Sequence, residues 1–413
     1  MEKKIMKYIK FGIIAAACAL LLAGCVKKDQ FEPSPEAIIM TGTDNSPMIK
    51  FAVEETPAVY PVTVSSTGRA TSDIKVNVAI DNSLVEKYNN DHKTSYYALP
   101  ESALQLDSNY VVIPQGATSS KANFLHVVTD KDFVDGRIYI IPITITSVEN
   151  TELEVLETSR TLYLRISRVV YFNSLDISDY GMYSNFIFDD ALAVDLPTYT
   201  YEIKCFINQW HPGSEPISRL CQWTSKTESR SNMLRFGENG QDINSLQWVH
   251  PAGNIVSKAR FTPGNWYTIS LTYNGSVLAM YVDGVKDVEA AGDGTTNFQR
   301  FELGMSWGGG YPQKQRFLGR VCEVKVWNRA LSPSEIQLGI CGVDPTSSEG
   351  LVAYWKFNEG EGHIFHDATG HGYDMDWSKT VRDNQENGVL NEFDYSAKVE
   401  AGWIFDDKNK CAN

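Results

Sequence analysis

Apolar and polar residues alternate with a period of two along most of this chain. "MIKFAVE", "AVYPVTVSS", "DIKVNVAI", "YVVIP", "IYIIPITITSV" and "RTLYLRIS" all fall between residues 31 and 169. Each run is rich in β-branched or aromatic residues and stops at Gly, Pro, Asn or Asp, which predicts the short strands of an antiparallel sandwich. One stretch breaks the period. In "NSLVEKYNND" Ser83 is placed to cap a helix while Glu86 reaches back, so a helical turn or two is expected there. A link rich in Tyr, Ser and Asp is expected at "SRVVYFNSLDISDYGMY", residues 167–183, before alternation resumes at "LPTYTYEIKCFINQW".

The clearest element is "GNWYTISLTYNGSVLAMYVDG", residues 264–284, which reads as a hairpin. Tyr267, Ile269, Leu271 and Tyr273 share one face of its first strand, and Trp266, Thr268, Ser270 and Thr272 the other. Asn274-Gly275 predicts a type I′ turn. The return strand sets Leu278, Met280 and Val282 against Val277, Ala279 and Tyr281, then closes on Asp283-Gly284. In "LSPSEI" the local chemistry predicts a short helix, with Ser332 as N-cap, Pro333 at N1, Glu335 at N3 and Leu331 stapled to Ile336.

The first 25 residues carry a different signal. Four lysines precede "FGIIAAACALLLA", Phe11 to Ala23, a charge-free run too short to span a bilayer and typical of a secretory signal. "LAGC", Leu22 to Cys25, resembles the lipobox of bacterial lipoproteins. That resemblance implies cleavage before Cys25 and its lipidation, and hence an outer-membrane, lipid-anchored, cell-surface protein. The domains are then residues 1–24 as signal peptide, 25–169 as N-terminal β-sandwich and 170–413 as a second sandwich.

Composition narrows the partners. A chain of 413 residues that is 43% hydrophobic can build cores without staples. Its net charge is −14 and no basic run occurs, which argues against nucleic acid, since phosphate binding needs clustered Lys and Arg. Cys18 leaves with the signal and Cys25 with the anchor, so Cys205, Cys221, Cys322, Cys341 and Cys411 remain. No CxxC or Cys/His spacing suggests zinc. Cys205 and Cys322 lie in strand-like alternation and are expected to be buried, while Cys341 with Cys411 is an open pairing.

Two resemblances follow from these segments. "SLVEKYNNDHKTSYYALPESALQLDSNYVVIPQGATSSKANF" resembles the N-terminal domain of unknown function of Bacteroidetes surface lipoproteins, which precedes carbohydrate-binding modules or family 18 glycoside hydrolases. Its expected role is to hold a distal module away from the membrane. The 264–284 hairpin, "FLGRVCEVKVWNRALSPSEI" and "YWKFNEGEG" with "HDATGHG" resemble the laminin-G/concanavalin-A-like lectin family. The implied fold class is all-β, an N-terminal antiparallel β-sandwich followed by a concanavalin-A-like jelly-roll sandwich. Cys322 stands where the family usually has the aspartate of an Asp-Glu pair, and a calcium ion at that place is left open. No other cofactor is implied.

Catalytic patterns are absent. The sequence has no D-x-x-D-x-D-x-E run, no compact E-x-D-x-x-E, no G-x-S-x-G, no H-E-x-x-H and no Walker loop. His363, His366 and His371 in "GHIFHDATGHGYD" read as polar loop residues rather than a metal site. Sugar rings present apolar faces ringed by hydroxyls, so their sites need aromatic platforms beside planar polar groups. Trp266, Trp327 and Trp355 sit in regular strands and are expected in the core. Trp210 and His211 in "NQWHPGSEP", beside Gln209, and Trp307, Tyr311 and Gln313 in "MSWGGGYPQKQRF", with Gln315, lie in Gly- and Pro-rich turns and are the expected ligand-binding residues. Trp223 and Trp248 are expected to line a concave face. The leading expectation is a surface lipoprotein that captures oligosaccharide, host N-glycan or another GlcNAc-containing chain, for an outer-membrane importer and its glycosidases. An adhesive protein that binds another protein, and a divergent glycoside hydrolase, are the alternatives.

Overall fold

One strand, Thr161–Asp176, joins the two halves of the molecule. The computed structural model of the chain describes residues 36–377 and 399–412 apart from 44–45, 135, 180–181, 183, 189–191, 193, 212–216, 225–231, 239, 252, 294 and 305–314. The first half of the long strand pairs in parallel with Met48–Val53 and antiparallel with Ile140–Glu149. Its second half pairs with Trp403–Ala412 and, at Leu175 and Asp176, with Gly319–Trp327. The link expected after Val169 is therefore strand instead. Two hydrophobic cores divide along it: Leu162, Leu164 and Ile166 belong to the first, Val170, Phe172 and Leu175 to the second.

In the first half the sheet continues through Ile74–Ile80 to Tyr110–Ile113. Two three-stranded sheets complete this part, one centred on Asn123–Val127 and one on Ala37–Met40. Ile74, Val76 and Val78 are buried at every second position, which is the burial the period-two pattern requires. The arrangement is mainly antiparallel, with two parallel exceptions, Met48–Val53 on the long strand and Ala37–Met40 on Glu154–Val155. The helix spans Ser83–His92. Its cap differs from the capping box expected at Ser83: Asn82 is the N-cap, and Asp81 Oδ1 accepts from both the Ser83 amide (3.0 Å) and the Ser83 hydroxyl (2.6 Å). Asp81 competes for the role because it lies one turn-residue earlier and its carboxylate is the stronger acceptor.

The second half is a two-sheet sandwich. One sheet runs Val285–Ala291, Val277–Val282, Trp266–Tyr273, Tyr199–Ile207 and Gly319–Trp327 before reaching the long strand. The hairpin faces are as expected. Ile269, Leu271, Tyr273, Leu278 and Met280 enter the main core. Ala279 and Tyr281, on the other face, join a smaller cluster with Trp327, Leu331 and Ile336. Pro333–Leu338 forms the expected short helix, with a complete capping box between Ser332 and Glu335.

The turn chemistry is distributed differently from the expectation. Asn274 is the first residue of its turn, its Oδ1 accepting from the amides of Ser276 (3.1 Å) and Val277 (2.9 Å), and only Gly275 has positive φ (97°). Positive φ at both central residues, the mark of type I′, occurs at Asp283 (50°) and Gly284 (78°). Cys341 and Cys411 form a disulfide, and Cys205, Cys221 and Cys322 are buried thiols.

Candidate functional site

The second sheet of the sandwich has the order Ser184–Ile187, Arg300–Leu303, Ser218–Thr224, Asn232–Phe236, Leu246–Val249 and Ile255–Val256. Its two faces are chemically opposite. Cys221, Trp223, Leu234, Phe236, Leu246, Trp248, Phe301 and Leu303 point into the core. The other face is polar. Arg219 lies opposite Arg235, which lies opposite Gln247, and Gln222 lies opposite Glu302. Strict alternation would put Arg219 and Gln222 on different faces, but a register shift between Arg219 and Cys221 adds one residue and brings them to the same side.

These groups hold one another in place. Arg219 Nε donates to Gln315 Oε1 at 2.9 Å, Arg235 Nε donates to Gln247 Oε1 at 2.7 Å, and Arg300 pairs with Glu302 Oε1 at 3.0 Å. Glu238 receives the guanidinium groups of Arg235 and Arg219, the latter at 3.5 Å. All of the arginines here are buried, so their charge is tolerable only because each is paired and hydrogen-bonded. The result is a buried network of planar donors and acceptors that satisfy one another. The carboxylates Glu238 and Glu302 are both engaged by arginine.

Two expected site residues are core residues instead. Trp223 is fully buried in a cluster with Tyr201 (4.4 Å between ring centroids) and Phe298 (5.6 Å), which also stack on each other at 5.9 Å. Trp248 is fully buried and donates its indole N–H to Asn232 Oδ1 at 2.9 Å. The reason is the period of the strands. In "CQWT" and "LQWV" the glutamine and the tryptophan alternate, and burying the ring sends Gln222 or Gln247 to the opposite face. That alternation is the signal in the sequence for the polar face.

Trp210 is half-buried, packed against the main core on Phe236 at 5.1 Å. His211 is buried and donates Nε2–H to the carbonyl of Arg316 at 2.5 Å. Burial holds its pKa below the ordinary histidine value, against the opposing effect of that hydrogen bond. A parallel bridge joins Arg219 to Arg316. The turn of Trp210 and His211 is thus brought beside Gln315 and Arg316, next to the polar face. Trp307, Tyr311, Gln313 and Cys25 lie outside the described residues.

The histidines of "GHIFHDATGHGYD" do not converge: His366 meets Asp374 (3.1 Å), His371 meets the Val352 carbonyl (2.8 Å), and His363 is 3.8 Å from Asp376. Among the described residues no group of three or more His, Cys, Asp or Glu is placed to hold a metal. At the Asp-Glu position left open for calcium, Cys322 is buried with its thiol pushed up to about 12 by burial. Glu323 is taken by Tyr354 and, at 3.5 Å, by Lys325. These donors do not fit a hard cation, which takes six or more oxygens.

Residues 198–337 match the model of the concanavalin A-like lectin/glucanases superfamily. The second half carries a concanavalin A-like lectin domain. Residues 31–152, which include Ser83–His92 and the sheets around it, match a model for an N-terminal domain family. A solved Bacteroides ovatus protein proposed to bind carbohydrate superimposes with a TM-score of 0.60 at 21% identity, over 81% of this chain and 94% of that one. At that identity the likeness speaks for the fold. A stretch of 118 residues is 29% identical to pentraxin-related protein PTX3 of Mus musculus, 27% of this chain and 31% of the relative. The chain thus spans about a third of the length of that curated relative. A SAP-like pentraxin of Limulus polyphemus aligns over 41% of this chain and 82% of its own, at 11% identity and a TM-score of 0.31.

Proposed function

We propose that the protein is a non-catalytic glycan-binding lipoprotein, anchored through Cys25 in the outer membrane and exposed at the cell surface. On this reading it captures oligosaccharide at the end of the lectin sandwich that carries the Trp210–His211 turn, and passes it to an importer and glycosidases nearby. The observation that carries the reading is the half-buried Trp210 indole on a lectin-type sandwich, in a turn that His211 ties to Arg316, with the buried network of Arg219, Arg235 and Gln247 holding the neighbouring strands in place. A partly open indole supplies a stacking surface for a sugar ring. Likeness to the Bacteroides ovatus protein over most of both chains supports the same direction. The substrate class we favour is host N-glycan or another GlcNAc-containing chain, because the N-terminal segment resembles domains that precede family 18 glycoside hydrolases.

Affinity electrophoresis of the mature chain through a panel of glycans tests this. Retention by at least one glycan is expected, weakened about tenfold or more by Trp210→Ala or Trp307→Ala with the thermal unfolding midpoint little changed. Retention by none, or retention indifferent to both substitutions, defeats the reading. Release of shorter sugars from the same glycans would instead assign hydrolysis.

A further inference from the structure

A cleft of about 530 Å³ lies between the two halves of the molecule, away from the lectin sheet, within the size range of ligand sites. One wall comes from the segment that follows the Ser83–His92 helix, with Lys93, Tyr96 and Tyr97, and from Arg165 on the long strand. The other comes from Arg329, Leu331 and Glu335 around the short helix and from Asp344, with Glu202 and Trp327 also lining it.

The charges in this cleft are unequally committed. Every acid is occupied. Glu202 accepts from Ser270 (2.9 Å) and from the Trp327 indole (3.1 Å), and Lys325 lies 3.8 Å away. Glu335 closes the capping box and pairs with Arg329 at 2.8 Å. Asp344 pairs with Arg137 at 2.6 Å and accepts from Thr346. The bases of the opposite wall are not. Among the described residues, neither Lys93 nor Arg165 has an ion-pair partner, and Arg165 lies directly opposite Lys50 on the neighbouring strand. Like charges facing each other across a strand pair repel. An anion in the cleft would relieve that repulsion, and Tyr96 and Tyr97 line the same wall, with the Arg137 guanidinium over the Tyr97 ring at 4.5 Å.

We infer that the cleft between the two halves is a second saccharide site, selective for a short sugar chain bearing a carboxylate, which Arg165 and Lys93 receive. The carboxylate follows from the unpaired bases; the saccharide part rests on the glycan-binding reading above.

Isothermal titration of the full mature chain with glucuronic acid and N-acetylneuraminic acid, against glucose and N-acetylmannosamine, tests it. At least one acidic sugar is expected to bind ten times or more tightly than its neutral counterpart, and more weakly as salt is raised. Arg165→Gln should weaken that binding tenfold or more. Lys93→Gln, at an exposed position where folding is not at stake, should weaken it severalfold. Trp210→Ala should leave it unchanged, which separates the cleft from the lectin sheet. Acid binding that depends on Arg165 would stand even if the lectin sheet retained no glycan. Equal binding of acid and neutral sugars, binding indifferent to both Arg165→Gln and Lys93→Gln, or no binding of either acid would overturn the inference.

Discussion

Trp223 and Trp210 show how differently one residue type serves in this protein. Trp223 fills the core beside Tyr201 and Phe298, so Trp223→Ala removes a large buried ring and leaves a void. Its expected cost is about 3–5 kcal/mol, read as a lower urea midpoint for the lectin domain. A change under 1 kcal/mol would mean that the ring is not packed as described. Trp210 keeps part of its indole at the surface, and its loss belongs to the binding assay. At Cys221 and Cys322 burial pushes the thiols up to about 12, so both are inert core residues, consistent with the place their strands give them.

At the scale of elements, short local devices set the geometry. The short helix starts at Ser332 because Ser332 Oγ accepts from the Glu335 amide (3.3 Å) while the Glu335 carboxylate accepts from the Ser332 amide (2.7 Å). Ser332→Ala should cost about 1 kcal/mol in equilibrium unfolding, and an unchanged midpoint would show that packing of Leu331 and Ile336 alone holds the helix. The Cys341–Cys411 bond joins the end of that helical segment to the last described strand across a sequence separation of 70. By loop entropy, a closure of this length stabilises by up to about 4 kcal/mol. Cys341→Ser is therefore expected to lower the thermal midpoint clearly, and a wild-type chain treated with reductant should fall to the same value.

The two halves meet through Gly136 and the Arg137–Asp344 pair. A Cβ on Gly136, whose φ is 79°, would stand 2.0 Å from the Val343 backbone, so only glycine permits the approach. Gly136→Ala should cost about 1–3 kcal/mol by overpacking, and a stable variant with native urea sensitivity would argue against this contact. Burial works against the Asp344 carboxylate, yet hydrogen bonds from Arg137, Ser347 and Thr346 hold its pKa well below the ordinary 3.8. A depressed carboxylate contributes stability that is complete above the ordinary value and is lost as pH falls through the depressed one. Wild type should therefore be more stable than Asp344→Asn at pH 7, and the gap between their thermal midpoints should close as the pH drops below about 4. A gap that stays constant with pH would assign the effect to shape rather than charge.

Much of this was legible in the chain. The period-two runs, the hairpin faces of Ile269 and Leu271, and the Ser332 capping box depend on residues close in sequence, where sterics and local hydrogen bonds act without help. Tertiary structure decided what depends on distant partners. It turned the expected link after Val169 into continuous strand, because Trp403–Ala412 returns to pair there. It buried Trp223 and Trp248 in the core between the two sheets, where Tyr201 of the opposite sheet stacks on Trp223. Sequence alone determined which residues alternate; only the packed sandwich decided which phase of that alternation faces inward, since the free energy of burial belongs to the two sheets together.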